Sequence, residues 1–424
     1  KFTLEIRCNP QVGWTTGPND RCIAGRFTAG SITEGQEIFC RNDSAAALLM
    51  HRQAQWLVRA RQDSRIGDWT LGPDNHELVG DFDGDGRDEI YIRSPDWAGV
   101  LKWDTNRFIS VTVQYAAIDY WFLDGSEWEL VGDFDGDGRD EIYIRRHNVA
   151  GVLELVGNQL RLSHLSYEWI DDWTLGRDNT EFVGRFTQTT KDEIMIRSPQ
   201  WIGLLYWDST QNRLRLKSIQ HDSIGAWRMG ASDQHTIGDF DGDGRDEIYI
   251  RSPSSAGVIK WQVDRFRLLW SRQNDLQHMD GDPAKKIVLR TGDKICAGRF
   301  LPDRDGVLHR YTNGLAVLTW ESNEMRIRHH LPSPFNGKWN LGSDDKFVLG
   351  DFHRLGRDIG DPGLDYIQDG LTDVFIHSTS GTGMVAVNHA QWDPARPDIQ
   401  KEIGLTWINM RELLTLQLFE ARIS

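Results

Sequence analysis

The stretch Gly80-Asp81-Phe82-Asp83-Gly84-Asp85-Gly86-Arg87-Asp88-Glu89-Ile90 recurs unchanged at 132–142 and at 238–248. A shorter phrase within it reaches much further along the chain. Its phenylalanine stands at 27, 82, 134, 186, 240, 300 and 352, at intervals of 55, 52, 52, 54, 60 and 52 residues. Thirteen residues ahead of each Phe stand Trp14, Trp69, Trp121, Trp173, Trp227, Ile287 and Trp339. One internal offset kept across units of nearly fixed period marks a repeat architecture. There are seven units.

Inside a unit the pattern is that of strands. In the second unit, 76–82, 89–93, 99–103 and 107–114 alternate apolar with polar residues, carry β-branched and aromatic side chains, and are separated by Gly, Asp, Pro and Asn. Four strands per unit of about 50 residues match a propeller blade. The expected fold is all-β: a single seven-bladed β-propeller with four-stranded blades over 1–424, its repeats starting near the residues named above. Residues 1–8 read as a closing outer strand of the last blade, with 401–409 as the competing reading. A C-terminal tail, 410–424, follows and holds one amphipathic stretch at 411–421. Segments 277–285 and 359–370 break the repeat's symmetry and are candidates for function on that ground.

The repeated Trp is expected to pack between blades, as are Trp103, Trp207, Trp261 and Trp320. Trp97 and Trp201 differ, because they stand in turns after Ser94-Pro95 and Ser198-Pro199 in only some units. Local packing is the first reading for both, and a stacking platform for a sugar or peptide the second.

The acidic strings carry the clearest chemistry. Ca²⁺ takes six to eight oxygens in a flexible cage. Carboxylates at positions 1, 3 and 5 of a tight loop converge, Gly at 6 allows the sharp turn, position 7 offers a carbonyl, and an acid at 9 closes the cage. The expected ligands are Asp81, Asp83, Asp85, the Arg87 carbonyl and Glu89 in the second unit. They are Asp133, Asp135, Asp137, Arg139 and Glu141 in the third, and Asp239, Asp241, Asp243, Arg245 and Glu247 in the fifth. Position 8 (Asp88, Asp140, Asp246) is expected to face solvent. The other four units have lost the pattern: Arg26 and Thr28, Arg185 and Thr187, Arg299 and Leu301, His353 and Leu355 replace carboxylates. Three calcium ions are expected, in units two, three and five.

The net charge of −15 is concentrated in those loops, each of which sets five acids against one arginine, and the remainder is near neutral. That balance argues against nucleic acid as a partner. No run of about eighteen apolar residues exists to span a membrane as a helix. Cys8, Cys22, Cys40 and Cys296 lack zinc-type spacing, so either a disulfide among the first three or an inert buried thiol is expected. The start at Lys1, without Met or an apolar leader, fits a processed chain or a piece of a longer one.

With these residues in view, the string Gly80 to Ile90 resembles the calcium loop of FG-GAP/VCBS repeats, which occur in integrin alpha-subunit heads and in secreted bacterial and fungal proteins, some of them lectins. The resemblance implies a propeller whose calcium ions lie between adjacent strands of a blade and stiffen them. Glu at position 9, where the family has Asp, is a departure. No nucleophile elbow, phosphate loop, HExxH or zinc motif is present. The leading expectation is therefore a calcium-stabilised, secreted, non-catalytic recognition module binding a glycan or a protein. One alternative is a polysaccharide lyase or hydrolase using His353, Arg354, Arg357, Asp358, His377 and His389 of the seventh unit. The other is a structural module of a larger secreted or toxin protein.

Overall fold

The computed structural model describes residues 7–8, 14, 19–28, 36–52, 55–187, 190–333, 340–342, 345–352, 354–355, 367–368, 371–378, 381–388 and 404–409. Seven antiparallel blades follow one another, as the repeat requires. In the second blade the strands are His76–Gly80, Glu89–Ser94, Trp97–Asp104 and Arg107–Tyr115; in the third, Trp128–Gly132, Glu141–Arg146, Val149–Val156 and Gln159–Tyr167. The chain is a seven-bladed β-propeller.

The buried apolar side chains form seven clusters, each shared by two adjacent blades. Phe82, Tyr91 and Val100 of the second blade, for example, meet Trp121, Ile142 and Ile144 of the third. The repeated tryptophan sits at these seams, with Trp69, Trp121 and Trp173 almost wholly buried. It begins the second strand of a short ribbon between blades, such as Ala117–Ile118 with Trp121–Phe122. Its indole lies against a glycine of its own blade's third strand: a Cβ on Gly151 would come 3.4 Å from Trp121. Trp103, Trp207, Trp261 and Trp320 are buried too. Trp339 lies outside the described residues.

Two polar braces lock each of the six junctions from the first blade to the seventh. At one end, the side chain at loop position 8 accepts the position-1 N–H of the preceding blade. The Asp81 N–H donates to Asp140 at 2.8 Å, Asp133 to Asp192 at 3.0 Å, and Arg26 to Asp88 at 2.6 Å. A backbone bond runs back beside each, as from Asp140 N–H to the Asp81 carbonyl at 2.9 Å. The glycine before position 1 is required there, since a Cβ on Gly80 would fall 2.6 Å from Val131 and 2.9 Å from Asp140. Position 8 therefore does not face solvent as expected; Asp88, Asp140 and Asp246 are bound to the neighbouring blade. Removing one such acceptor strands a partly buried N–H, so Asp140→Ala should cost about 1–3 kcal/mol. The loss should be the same with chelator and with calcium. A denaturation midpoint that does not move would discount the brace.

At the opposite end, a buried arginine closing the second strand reaches into the next blade's entry turn. Arg145 donates to the Gly176 and Asn179 carbonyls at 3.0 Å each and pairs with Glu181 at 2.5 Å. Arg41, Arg93 and Arg251 repeat this with Glu77, Glu127 and Glu129, and Asp293. In the fourth blade Arg197 meets His235 instead, at 3.0 Å.

Ring closure departs from expectation. The outer strand of the seventh blade is Gly404–Asn409, beside Gly381–Asn388. Of the N-terminal segment, Arg7–Cys8 pairs in parallel with Gln55 and Trp56 at the outer edge of the first blade. The closing role first assigned to the N-terminus thus falls to the competing C-terminal strand. The ring is joined by the same brace as elsewhere: the Gln36 N–H donates to the Asp351 carbonyl at 3.1 Å, and the Asp351 N–H to Gln36 Oε1 at 2.9 Å. Cys22 and Cys40, opposite each other in the first blade, form a disulfide, and Cys296 is free. The amphipathic stretch 411–421 lies outside the described residues. Among those described, no helix is long and apolar enough to cross a membrane.

Candidate functional site

Each acidic string joins the first strand of a blade to the second. The glycines at positions 4 and 6 take left-handed backbone, Gly136 at φ 79° and Gly138 at φ 89°, which an L side chain would resist. Carboxylates then fold the loop onto itself. In the third blade Asp133 accepts the N–H groups of Gly136 and Gly138 at 2.7 and 3.2 Å, and Asp135 that of Asp137 at 2.9 Å. Glu141 begins the second strand and accepts the N–H groups of Phe134 and Asp135 at 2.8 and 3.3 Å. The second and fifth blades repeat these bonds.

The three loops nevertheless gather different sets of acids. In the third blade one oxygen each of Asp133, Asp135, Asp137 and Glu141 lie within 4.8 Å of one another. The second blade brings together Asp81, Asp83 and Asp85 in this way, and the fifth Asp239, Asp241 and Glu247. Arg87, Arg139 and Arg245, expected to contribute carbonyls, place their guanidinium groups on the position-5 acids Asp85, Asp137 and Asp243.

Burial pushes the position-9 carboxyls up: Glu89 to about 7, Glu247 to about 7, and Glu141 to about 8, where the Asp135 charge adds to the effect. Glu89 and Glu247 are relieved by an ammonium that the sequence reading did not anticipate. Lys102, from the third strand, sits on Asp83, on Asp85 at 2.8 Å and on Glu89 at 3.1 Å. Lys260 meets Asp241, Asp243 and Glu247 at 2.6, 2.9 and 2.6 Å. Hydrogen bonds to these carboxylates outweigh burial and raise both ammonium groups above their ordinary value. Blades one and four, which lack the acidic string, keep a buried glutamate at the start of the second strand with a cation: Arg59 lies 3.2 Å from Glu37 and Lys217 lies 2.8 Å from Glu193.

The chemistry of the third loop's donors fits a hard divalent cation, being four carboxylates, one of them nine-tenths buried, with no basic side chain in ion-pair reach of Asp133, Asp135 or Glu141 among the described residues. The second and fifth loops have the same donors with an ammonium lying on them.

Trp97 and Trp201 do not stand in the turns as expected but open the third strands just after them, at the end of the blade away from the acidic loops. Both rings are two-fifths exposed. Trp97 packs on Tyr115 at 4.9 Å between centroids and Trp201 on His221 at 4.2 Å, so the local-packing reading describes one face of each. Trp97 also lines an open cavity of about 440 Å³ with Asp68, Asp74 and Asp96. His353, Arg357, Asp358 and His389 lie outside the described residues, as do the side chains of Arg354 and His377. At the seventh loop Arg354–Leu355 pairs antiparallel with Ile367–Gln368, a pairing that the acidic loops of the second, third and fifth blades lack.

A lectin from Agrocybe aegerita, whose structure shows specific recognition of non-reducing terminal N-acetylglucosamine, superposes with a TM-score of 0.55 over 77% of this chain and 84% of its own, at 13% identity. The likeness is one of fold. A second solved structure, the Photorhabdus luminescens Tc holotoxin pore, aligns with a TM-score of 0.42 and 10% identity over 83% of this chain and 16% of its own. No protein-family model matches the chain, and no curated protein does.

Proposed function

We propose that the chain is a non-catalytic recognition module that binds glycans at the rim bearing Trp97, and that it is stabilised by calcium held in the acidic loops. The observation that carries the glycan reading is the Trp97 cavity. It sets a two-fifths exposed indole beside three carboxylates in a concave space of about 440 Å³, the size of a small-ligand site. A sugar ring offers a C–H face to an indole and hydroxyl donors to carboxylates, which when ionised accept hydrogen bonds without donating any. The lectin that shares the fold is consistent with this use of a propeller. The metal reading is supported by the donor chemistry of the loops and by their likeness to FG-GAP/VCBS repeats. The Cys22–Cys40 disulfide suits an oxidising compartment and so an extracellular location.

A glycan array probed with the intact protein in millimolar calcium tests the reading. The expected result is a defined set of bound glycans whose affinity falls about tenfold or more, ~1.4 kcal/mol, in Trp97→Ala. That variant should stay folded, losing under about 1 kcal/mol of stability. An array silent at high protein concentration, or glycan binding indifferent to Trp97→Ala, would overturn it.

A further inference from the structure

We infer that only the third blade's loop takes a divalent ion, and that Lys102 and Lys260 are tethered counter-ions standing in for it in the second and fifth blades. The inference rests on the metal reading above and narrows it from three ions to one.

The three loops are identical over their nine residues, so the loop itself cannot discriminate between them. The difference lies in the sixth residue of each third strand: Lys102 in Trp97–Asp104, Glu154 in Val149–Val156 and Lys260 in Ser255–Gln262. A lysine there places Nζ within 3.1 Å of the position-5 and position-9 acids and also on the position-3 acid. Those are oxygens a metal ion would need. Ammonium and divalent cation cannot share them, because like charges at contact repel strongly in a partly desolvated loop.

A second observation comes from the rest of the ring. Five blades open their second strand with a glutamate, and all five are buried: Glu37, Glu89, Glu141, Glu193 and Glu247. Four have a basic side chain on them, from Arg59, Lys102, Lys217 and Lys260. Glu141 is the exception. It is 4% exposed, only its Oε2 accepts hydrogen bonds, and it lies in the one loop where all four acids converge. A buried carboxyl either pairs with a cation or keeps its proton. In four blades the chain supplies the cation, and in the third the loop leaves that place to an ion from solution.

Calorimetric calcium titration of the chelator-stripped protein should give one ion per chain. Asp135→Ala should abolish it, whereas Asp83→Ala and Asp241→Ala should leave it intact. Lys102→Met and Lys260→Met should each add one site, and the double variant should bind three ions. Melting curves of each variant, taken with chelator, establish that it is folded. Three ions in the wild type would overturn the inference and leave the metal reading standing. So would a single ion lost on Asp83→Ala or Asp241→Ala and kept on Asp135→Ala. No ion in the wild type or in any lysine variant would overturn both.

Discussion

Replacing Trp121 by alanine should lower unfolding free energy by about 3–5 kcal/mol, the usual cost of emptying a buried aromatic site. Trp121 is wholly buried at the seam of the second and third blades, among Phe82, Val100, Ile142 and Leu153. Both blades lose contacts at once, and neither can close the gap without moving against its other neighbour. Trp97→Ala, at a ring two-fifths exposed, is the contrasting control and should cost under about 1 kcal/mol. Equilibrium denaturation in urea reads both. A Trp121→Ala loss no larger than that of Trp97→Ala would contradict the seam's structural role.

The second large effect is expected at Arg145. Its guanidinium and the Glu181 carboxylate are both nearly inaccessible, and the arginine also holds two carbonyls of the next blade. Arg145→Leu leaves a buried charge without its partner and should cost about 3–5 kcal/mol. Adding Glu181→Leu should recover much of that loss, because the stranded charge goes with it. The loss also has a pH sign. Burial raises the Glu181 carboxyl above its ordinary value, and the Arg145 charge opposes that rise. Without the arginine the folded protein holds the proton to still higher pH than the unfolded chain does. Stability is then lost as pH rises through the folded value, so the Arg145→Leu deficit should be wider at pH 8 than at pH 5. A single variant as stable as the double at pH 8 would refute the pairing.

How much of this was legible in the residues follows from distance along the chain. Strands, blade number and the burial of Trp69, Trp121 and Trp173 depend on patterns within 50-odd residues, and the repeat prints those seven times. The loop glycines were readable for the same reason, since Gly136 and Gly138 act within their own turn. Position 8 was misjudged because its partner is the backbone of another blade: Asp140 answers to Asp81, 59 residues away. Neither Asp-Glu string nor its alternation announces that contact. Lys102 could have been found by aligning third strands, where Lys, Glu and Lys occupy one column in the three repeats with acidic loops. The signal was a single charged residue on a strand otherwise read for its apolar face. Closure by Gly404–Asn409 rather than the N-terminus was undecidable, because either segment offered a strand-like run.

The paired braces have a mechanical corollary. Within one junction the arginine of the earlier blade reaches forward at one end, and the aspartate of the later blade reaches back at the other. Two fastenings at opposite ends of a seam suppress rocking as well as sliding, so neighbouring sectors have no hinge between them. A ligand landing on the Trp97 rim would meet a preset surface and pay little ordering entropy. If that ligand is the glycan proposed above, discrimination would come from which side chains crown each sector, not from the ring reshaping itself around the guest.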